Sequence, residues 1–172
     1  IIFDSSDQKT LVKDCLKTLQ IDDKYFTDKS VLYEISNAKN EMLDPKAYGI
    51  KYASDFRKEK IAKIYSLYQS RLKENNAVDF DDLLILPLKL FNNNSGVLQK
   101  YQEKYKYVFI DEYQDTNEPQ YILSKMISAK YKNITVVGDA DQAIFTWRGA
   151  NYKNILNFEN DYKDAKVVLL EE

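Results

Sequence analysis

At residues 107–117 the sequence reads YVFIDEYQDTN, and this stretch decides the fold class. Its first five residues form a short apolar run that ends in an acid, typical of a strand buried on both faces of a sheet. Further strands are predicted at 135–139 and 167–170, with helices between them from about Glu118 and over about 151–158. Strands that alternate with helices favour an α/β fold with a parallel sheet.

The sequence before this region predicts helices only. Apolar residues recur at helical spacing from Ser6, a plausible N-cap, again over about Lys29–Met42, and most clearly after Ser54. No convincing strand precedes Asn76. We therefore predict a small all-helical subdomain over residues 1–76 and an α/β domain over residues 77–172.

Composition limits the chemistry that this chain can perform. Of its 172 residues, 44% are hydrophobic and 30% charged, the balance of a globular protein. The net charge of −2 provides no overall basic field for nucleic acid. The absence of histidine and the single cysteine, Cys15, exclude histidine nucleophiles and bases and structural zinc sites. Any chemistry must use carboxylates, hard cations and arginine.

The same composition predicts a cytoplasmic protein with no membrane partner. No apolar run approaches the roughly 18 residues that a membrane span needs. The first residues show no basic segment followed by an apolar stretch, so no signal peptide is expected. A lone cysteine cannot form an internal disulfide, which fits a reducing compartment.

Two adjacent acids, Asp111 and Glu112, follow the first predicted strand. In open parallel sheets ligands bind beyond the carboxyl ends of the strands. One carboxylate there can hold Mg²⁺ beside substrate phosphates, and its neighbour can orient and deprotonate an attacking water. The alternative is an acidic pair that only solvates a strand end. The next strand leads into GDADQAIFTWRGA at residues 138–150, which brings further acidic and amide groups to the same edge and favours a site.

Aromatic side chains stand close to an arginine in that second stretch. Phe145 and Trp147 precede Arg148, and aromatic rings beside a guanidinium suit stacking on single-stranded bases. The alternatives are a tryptophan buried in a core or interface and an arginine in a structural ion pair. The sequence therefore predicts a nucleic-acid contact here, beside the acidic edge.

These strings resemble those of a known family. Residues 111–117 and 138–150 resemble motifs II and III of superfamily 1A helicases of the UvrD/PcrA/Rep group, nearest to the PcrA branch, and residues 78–84 resemble the group's DFDDL segment. The resemblance covers most of the chain. It likens residues 1–76 to subdomain 1B and the remainder to the later part of subdomain 1A, a partial RecA-like sheet of the P-loop NTPase type. It implies an ATP hydrolase that translocates on single-stranded DNA and unwinds duplex DNA.

The resemblance also implies roles in ATP hydrolysis, with ATP and Mg²⁺ as cofactors. Asp111 would coordinate Mg²⁺ next to the nucleotide, and Glu112 would be the general base for the attacking water. Gln142 would contact the γ-phosphate. Arg148 would couple the nucleotide site to DNA by pairing with Glu112 or with phosphate.

Further roles follow from the same resemblance. Trp147 would stack on a base of the translocating strand. Phe145 stands where the group often has tyrosine, so it keeps the stacking face and lacks the hydroxyl. Gln114 and Asp115 would support the groups that touch the nucleotide.

The sequence lacks a phosphate-binding loop. Such a loop ends in glycine–lysine–serine or glycine–lysine–threonine, and none of the four glycines is followed by lysine. We expect this loop and the adenine-reading segment to lie before Ile1, and the second RecA-like domain to lie after Glu172. Because phosphoryl transfer needs these parts together, we expect the chain to be an interior piece that is inactive alone.

Three alternatives remain open at the level of sequence. The chain fits a helicase–nuclease of the AddA/RecB type less well, because its helical insert is short and Gly-Ala-Asn follows Trp147-Arg148. A non-catalytic adaptor would not need the acids and amides at the sheet edge. A metal-dependent nuclease would use the acids Asp79, Asp81 and Asp82. We interpret these three as capping and surface acids of a helix with a kink or break near Pro87.

Overall fold

The computed structural model describes residues 1–142, 150–151 and 153–169. The chain forms two compact units, Ile1–Ser95 and Gly96–Glu172. This division falls later than residue 76, the end of the predicted helical subdomain. The assignment of the two regions to helicase subdomains stays a prediction. In the ranges just given, no helix is both long enough and apolar enough to cross a membrane.

The first unit contains five helices among its described residues: α1 (Ser5–Thr18), α2 (Asp28–Asn40), α3 (Pro45–Lys51), α4 (Phe56–Glu74) and α5 (Asp82–Asn93). Helices α1 to α4 each begin at a side chain that accepts backbone hydrogen bonds of the first turn. These N-caps are Asp4, Thr27, Asp44 and Asp55. The short helix α3, which begins at Pro45, was not predicted from the sequence.

Helices α1 to α4 pack around one apolar core. Its members include Leu11, Val12, Cys15, Leu16, Val31, Ile35, Tyr48, Ile61, Ile64, Tyr65, Tyr68 and Leu72. Burial raises the pKa of the Cys15 thiol to about 11, so the single cysteine is an unreactive core residue at neutral pH. The first residues of the chain pair with the segment after α4. Val78 N–H donates to the carbonyl of Ile1 (2.9 Å), and Phe3 N–H donates to the carbonyl of Val78 (2.8 Å).

Helix α5 continues through Pro87 without a break. A proline inside a helix removes one backbone hydrogen bond and costs about 3 kcal/mol or more. The buried side chains Ile85, Leu88 and Phe91 lie on both sides of the proline at helical spacing. Their packing offsets the lost hydrogen bond, which is why a break predicted from the proline alone does not occur.

Lys39 of α2 is buried between two acids at the start of α5. Its Nζ lies 2.6 Å from Oδ2 of Asp79 and 2.8 Å from Oδ1 of Asp82, and all three side chains are at most 4% exposed. The hydroxyl of Tyr68 donates to the same Asp79 oxygen at 3.0 Å. The interpretation of Asp79 and Asp82 as surface acids is therefore wrong. Asp79 does act as a local cap, since its Oδ1 accepts the N–H of Asp82 at 2.9 Å.

This ion-pair cluster also weakens the nuclease alternative. A carboxylate that holds a catalytic metal must offer free oxygen atoms to it. Asp79 and Asp82 instead neutralise a buried lysine, whose charge would otherwise be desolvated without compensation. The sequence did not reveal this partnership because Lys39 lies forty residues before Asp79.

The second unit contains the predicted parallel pair of strands. β1 (Val108–Ile110) and β2 (Ile134–Val136) are parallel, with Phe109 opposite Thr135. Helix α6 (Ser95–Lys104) precedes them, and α7 (Glu118–Ser128) connects them. A helical crossover of this kind is the usual connection between parallel strands. The chain is thus mostly helical with a small parallel sheet.

Three predictions for this unit need correction. Val167–Leu169 form no strand and are at least 63% exposed, because no described strand pairs with them. The helix predicted over 151–158 is two short helices, α8 (Lys153–Leu156) and α9 (Phe158–Asp161). β1 is not buried on both faces, since Phe109 is 67% exposed and only the alternate positions are partly covered.

The buried lysine provides a test of what holds the first unit together. Lys39→Met keeps an unbranched side chain of similar length but leaves Asp79 and Asp82 buried without a cation. We expect the free energy of unfolding to fall by about 3–5 kcal/mol, measured by urea titration with far-UV circular dichroism. The control is Lys63→Met, which removes an exposed pair with Glu59 on α4 and should have little effect. Equal effects of the two substitutions would contradict the role of the cluster.

Candidate functional site

The candidate site lies at the carboxyl edge of the two strands. Because β1 and β2 are parallel, the residues that follow them leave the sheet on the same side. Backbone pairing continues past the strand ends. Val137 N–H donates to the carbonyl of Ile110 (2.8 Å), and Tyr113 N–H donates to that of Val137 (3.0 Å). These bonds hold the predicted Asp111–Glu112 pair against the segment that follows β2.

Glu112 has an unusual backbone conformation. Its φ of 51° and ψ of 44° lie in the left-handed region, which costs a residue other than glycine about 1–3 kcal/mol. Other residues with positive φ, such as Gln20, Met42 and Asn76, directly follow helix ends, where this conformation is common. Glu112 instead follows a strand. Backbone strain of this kind concentrates at functional sites.

Asp111 and Glu112 both have exposed side chains. Oδ1 of Asp111 accepts the N–H of Glu112 at 3.0 Å, which fixes the orientation of the carboxylate. Among the described residues, no group of three or more acids or thiols gathers as a metal cage. Mg²⁺ does not need one, since proteins usually hold it with one or two carboxylates together with substrate phosphates and water. The donor chemistry of Asp111 fits this mode of binding.

Gln114 joins the two halves of the site. Its side chain is 1% exposed. Its Nε2 donates to Oε2 of Glu112 at 2.8 Å, and its Oε1 accepts the N–H of Asp139 at 3.1 Å. The sequence predicted only a supporting role for Gln114 and gave no indication that it spans the two motifs.

Asp139 in turn orients Gln142. Oδ2 of Asp139 accepts the side-chain amide of Gln142 at 2.9 Å, and its carbonyl accepts the Gln142 N–H at 3.1 Å. The structure therefore brings Asp111, Glu112 and Gln142 to one edge, as the sequence predicted. Asp139 itself was missed, although an acid directly after the glycine that follows a strand is a signal that could have identified it.

The chain returns to the same edge after residue 149. Asn151 N–H donates to the carbonyl of Thr116 (3.0 Å), and Ala150 pairs with Asn117. The buried Asn154 donates to both the carbonyl and the hydroxyl of Thr116, each at 3.1 Å. The predicted site residues Phe145, Trp147 and Arg148 lie outside the described residues, so their roles stay predictions.

The sequence of this chain is similar to those of known proteins. The sequence-family model described as UvrD/REP helicase N-terminal domain matches residues 1–163 of this chain. Proteins named ATP-dependent DNA helicase PcrA from Leuconostoc citreum, Staphylococcus aureus and Staphylococcus epidermidis are 46%, 47% and 46% identical to this chain over 171 residues. The matches cover 99% of this chain and 23% of each relative. The chain thus spans about a quarter of the length of these relatives.

The tight packing around Gln114 can be tested at a glycine. A Cβ on Gly138 would lie 2.3 Å from Oε1 of Gln114 and 3.1 Å from the backbone N of Tyr113. We therefore expect Gly138→Ala to lower the free energy of unfolding by about 1–3 kcal/mol and to lower the melting temperature. Gly96→Ala in α6 is the control, because nothing lies within 4 Å of its added Cβ. Unchanged stability in Gly138→Ala would show that Gln114 is not confined there.

Proposed function

Because this chain belongs to the UvrD/REP helicase N-terminal domain family, we propose that it is part of an ATP-dependent DNA helicase. In this proposal the carboxyl edge of β1 and β2 forms the metal- and water-binding half of the ATP site. One observation carries it. Glu112 and Gln142, which come from two separate motifs, lie in one chain of hydrogen bonds through Gln114 and Asp139.

The proposed fold is a partial RecA-like domain preceded by a helical subdomain. The parallel pair with its helical crossover, β1–α7–β2, supports a RecA-like sheet, in which such units repeat. The helices of residues 1–76 support their assignment to subdomain 1B, with residues 77–172 assigned to the later part of subdomain 1A. Helix α5 belongs to the first compact unit, which ends at Ser95. The boundary between the compact units therefore lies later in the chain than the proposed subdomain boundary after residue 76.

The proposed chemistry is the hydrolysis of ATP by an activated water. Asp111 would hold Mg²⁺, which neutralises charge on the phosphates when it is bound. Glu112 would orient a water and accept its proton as the water oxygen attacks the γ-phosphorus. The bond from the γ-phosphorus to its bridging oxygen would break, and ADP would leave with the electron pair. Gln142 would contact the γ-phosphate, and Arg148 would pair with Glu112 or with phosphate.

The remaining parts of the ATP site are proposed to come from elsewhere in a longer protein. No glycine of this chain is followed by lysine, so the phosphate-binding loop must be supplied by another segment. A second RecA-like domain would complete the site. We therefore propose that the chain alone does not hydrolyse ATP at a useful rate, because its groups act only together with these parts.

DNA is the second proposed substrate, single-stranded for translocation and duplex for unwinding. Trp147 and Phe145 would stack on bases, since every base offers a flat aromatic face. This part of the proposal is supported by the resemblance and by the family, because both residues lie outside the described residues. ATP and DNA as substrates also support a cytoplasmic location.

Substitutions of the two edge acids test the ATP chemistry in the full-length protein that contains this chain. Glu112→Gln should lower kcat by about 10²- to 10⁴-fold with little change in nucleotide affinity, because it removes a base and keeps the size of the side chain. Asp111→Asn should also weaken Mg²⁺-dependent nucleotide binding. Glu159→Gln, the same change at an exposed position, is the control. Normal hydrolysis by both Asp111→Asn and Glu112→Gln would refute the proposal.

Trp147→Ala tests the DNA contact separately. Loss of one stacked base contact, worth about 1–3 kcal/mol, corresponds to roughly a 5- to 150-fold loss of single-strand affinity. Hydrolysis without DNA should change little, and Trp147→Phe should recover part of the affinity because it restores a stacking face. Fluorescence anisotropy and a thermal melt on the same sample are the measurements. A lower melting temperature with normal affinity would assign Trp147 to the core instead.

A further inference from the structure

We propose that Gln114 is a positioning residue that fixes the Glu112 carboxylate to the segment after β2, so that Glu112 is set for catalysis only while Asp139 and Gln142 are in place. This inference rests on the proposed function of Glu112 and Gln142. It assigns to a buried amide the task of linking water activation to the group that would contact the γ-phosphate.

The chemistry of the partners fixes the orientation of the Gln114 amide. An ionised carboxylate only accepts hydrogen bonds, and a backbone N–H only donates them. The Gln114 NH₂ group must therefore face Glu112, and its oxygen must face the N–H of Asp139, as observed. Rotating the amide by half a turn would set oxygen against carboxylate and NH₂ against N–H. Gln114 is thus specific for one arrangement of both partners.

Packing gives Gln114 little freedom to move. The Oε1 atom of Gln114 lies close to Gly138, where a Cβ added to the glycine would be only 2.3 Å from that oxygen. Its neighbour Tyr113 is tied to the segment after β2, because its N–H donates to the Val137 carbonyl. The left-handed backbone of Glu112 turns the chain, so that the residue two positions later reaches back to the carboxylate. A buried amide in such a place cannot release Glu112 without losing a hydrogen bond that water does not replace.

Three consecutive hydrogen bonds lead from Gln142 to Glu112. They join Gln142 to the Asp139 carboxylate (2.9 Å), the Asp139 N–H to Gln114 (3.1 Å), and Gln114 to Glu112 (2.8 Å). A shift of Gln142 when it contacts phosphate would move Asp139, and the rigid amide of Gln114 would pass the shift to Glu112. The base would then be oriented in response to an occupied γ-phosphate position.

The test uses two replacements of Gln114 in the full-length protein. Gln114→Glu keeps the size and an acceptor for Asp139 but sets a carboxylate against Glu112. Gln114→Met keeps the length and removes both hydrogen bonds. We expect each to lower kcat by about 10- to 100-fold, the effect of losing a hydrogen bond to a charged group, with KM for ATP unchanged. Gln102→Met is the control, because Gln102 donates to the Met126 carbonyl, a structural hydrogen bond in the same unit.

A double substitution separates positioning from structure. If Gln114 acts through Glu112, Gln114→Met should lower kcat no further in a protein that already carries Glu112→Gln. Rates are divided by the concentration of nucleotide-binding molecules, so that unfolded protein does not lower the apparent kcat. If Gln114→Met does not fold, the kcat of Gln114→Glu tests the inference. Normal kcat in Gln114→Glu, or losses that multiply in the double variant, would overturn this inference. A Glu112→Gln protein with normal hydrolysis would instead refute the proposed function itself.

Discussion

The parallel pairing of β1 with β2 is the constraint on which the candidate site depends. Two parallel strands cannot be joined by a tight turn, so α7 must carry the chain back to the start of β2. The result is that both strands end at the same edge. Asp111 and Glu112 leave one strand there, and Asp139 and Gln142 follow the other. An antiparallel pair would send these groups to opposite ends of the sheet.

Backbone bonds beyond the strands extend this constraint to the side chains. Tyr113 is held to Val137, which in turn is held to Ile110, so the turn after β1 has one position relative to β2. The left-handed conformation of Glu112 is maintained within that turn. Strain there is balanced by the pairing around it, and it leaves a carboxylate exposed above a buried amide. The chemistry we propose uses this exposed carboxylate.

Buried polar groups have two different uses in this chain. In the first unit, Lys39 forms ion pairs with Asp79 and Asp82 in the protein interior. Such a cluster fixes how α2 and α5 meet, and it is stable only when complete. In the second unit, the buried Gln114 is satisfied by a group that remains exposed, Glu112. The first arrangement is structural, whereas the second supports a surface group that can react.

Local signals in the sequence predicted much of this fold. Helical spacing identified α1, α2 and α4, and short apolar runs identified β1 and β2. The predicted N-cap Ser6 was wrong, because the N-cap of α1 is Asp4 and Ser6 lies inside the helix. Helix α3 was missed because its seven residues, beginning at Pro45, are too few for a periodic pattern. The strand at 167–170 was predicted from apolar character, but a strand also needs a partner, and none of the described residues provides one for 167–169.

Contacts between distant residues could not be predicted in the same way. The acids at the strand end were expected near Gln142 because parallel topology alone implies it. The burial of Asp79 and Asp82 depends on Lys39 of a different helix. The bridging position of Gln114 depends on the close approach of Gly138. The spacing of residues in the sequence predicts neither the contact of Lys39 with the two acids nor that of Gln114 with Gly138.

A crystal structure of the full-length protein with Mg²⁺, single-stranded DNA and a non-hydrolysable ATP analogue tests the central claim most directly. We expect Asp111 to face the metal, Glu112 to hold a water in line with the γ-phosphorus, and Gln114 to keep its hydrogen bonds to Glu112 and Asp139. A nucleotide bound away from the carboxyl edge of β1 and β2, or a Glu112 carboxylate turned away from the γ-phosphate, would contradict it.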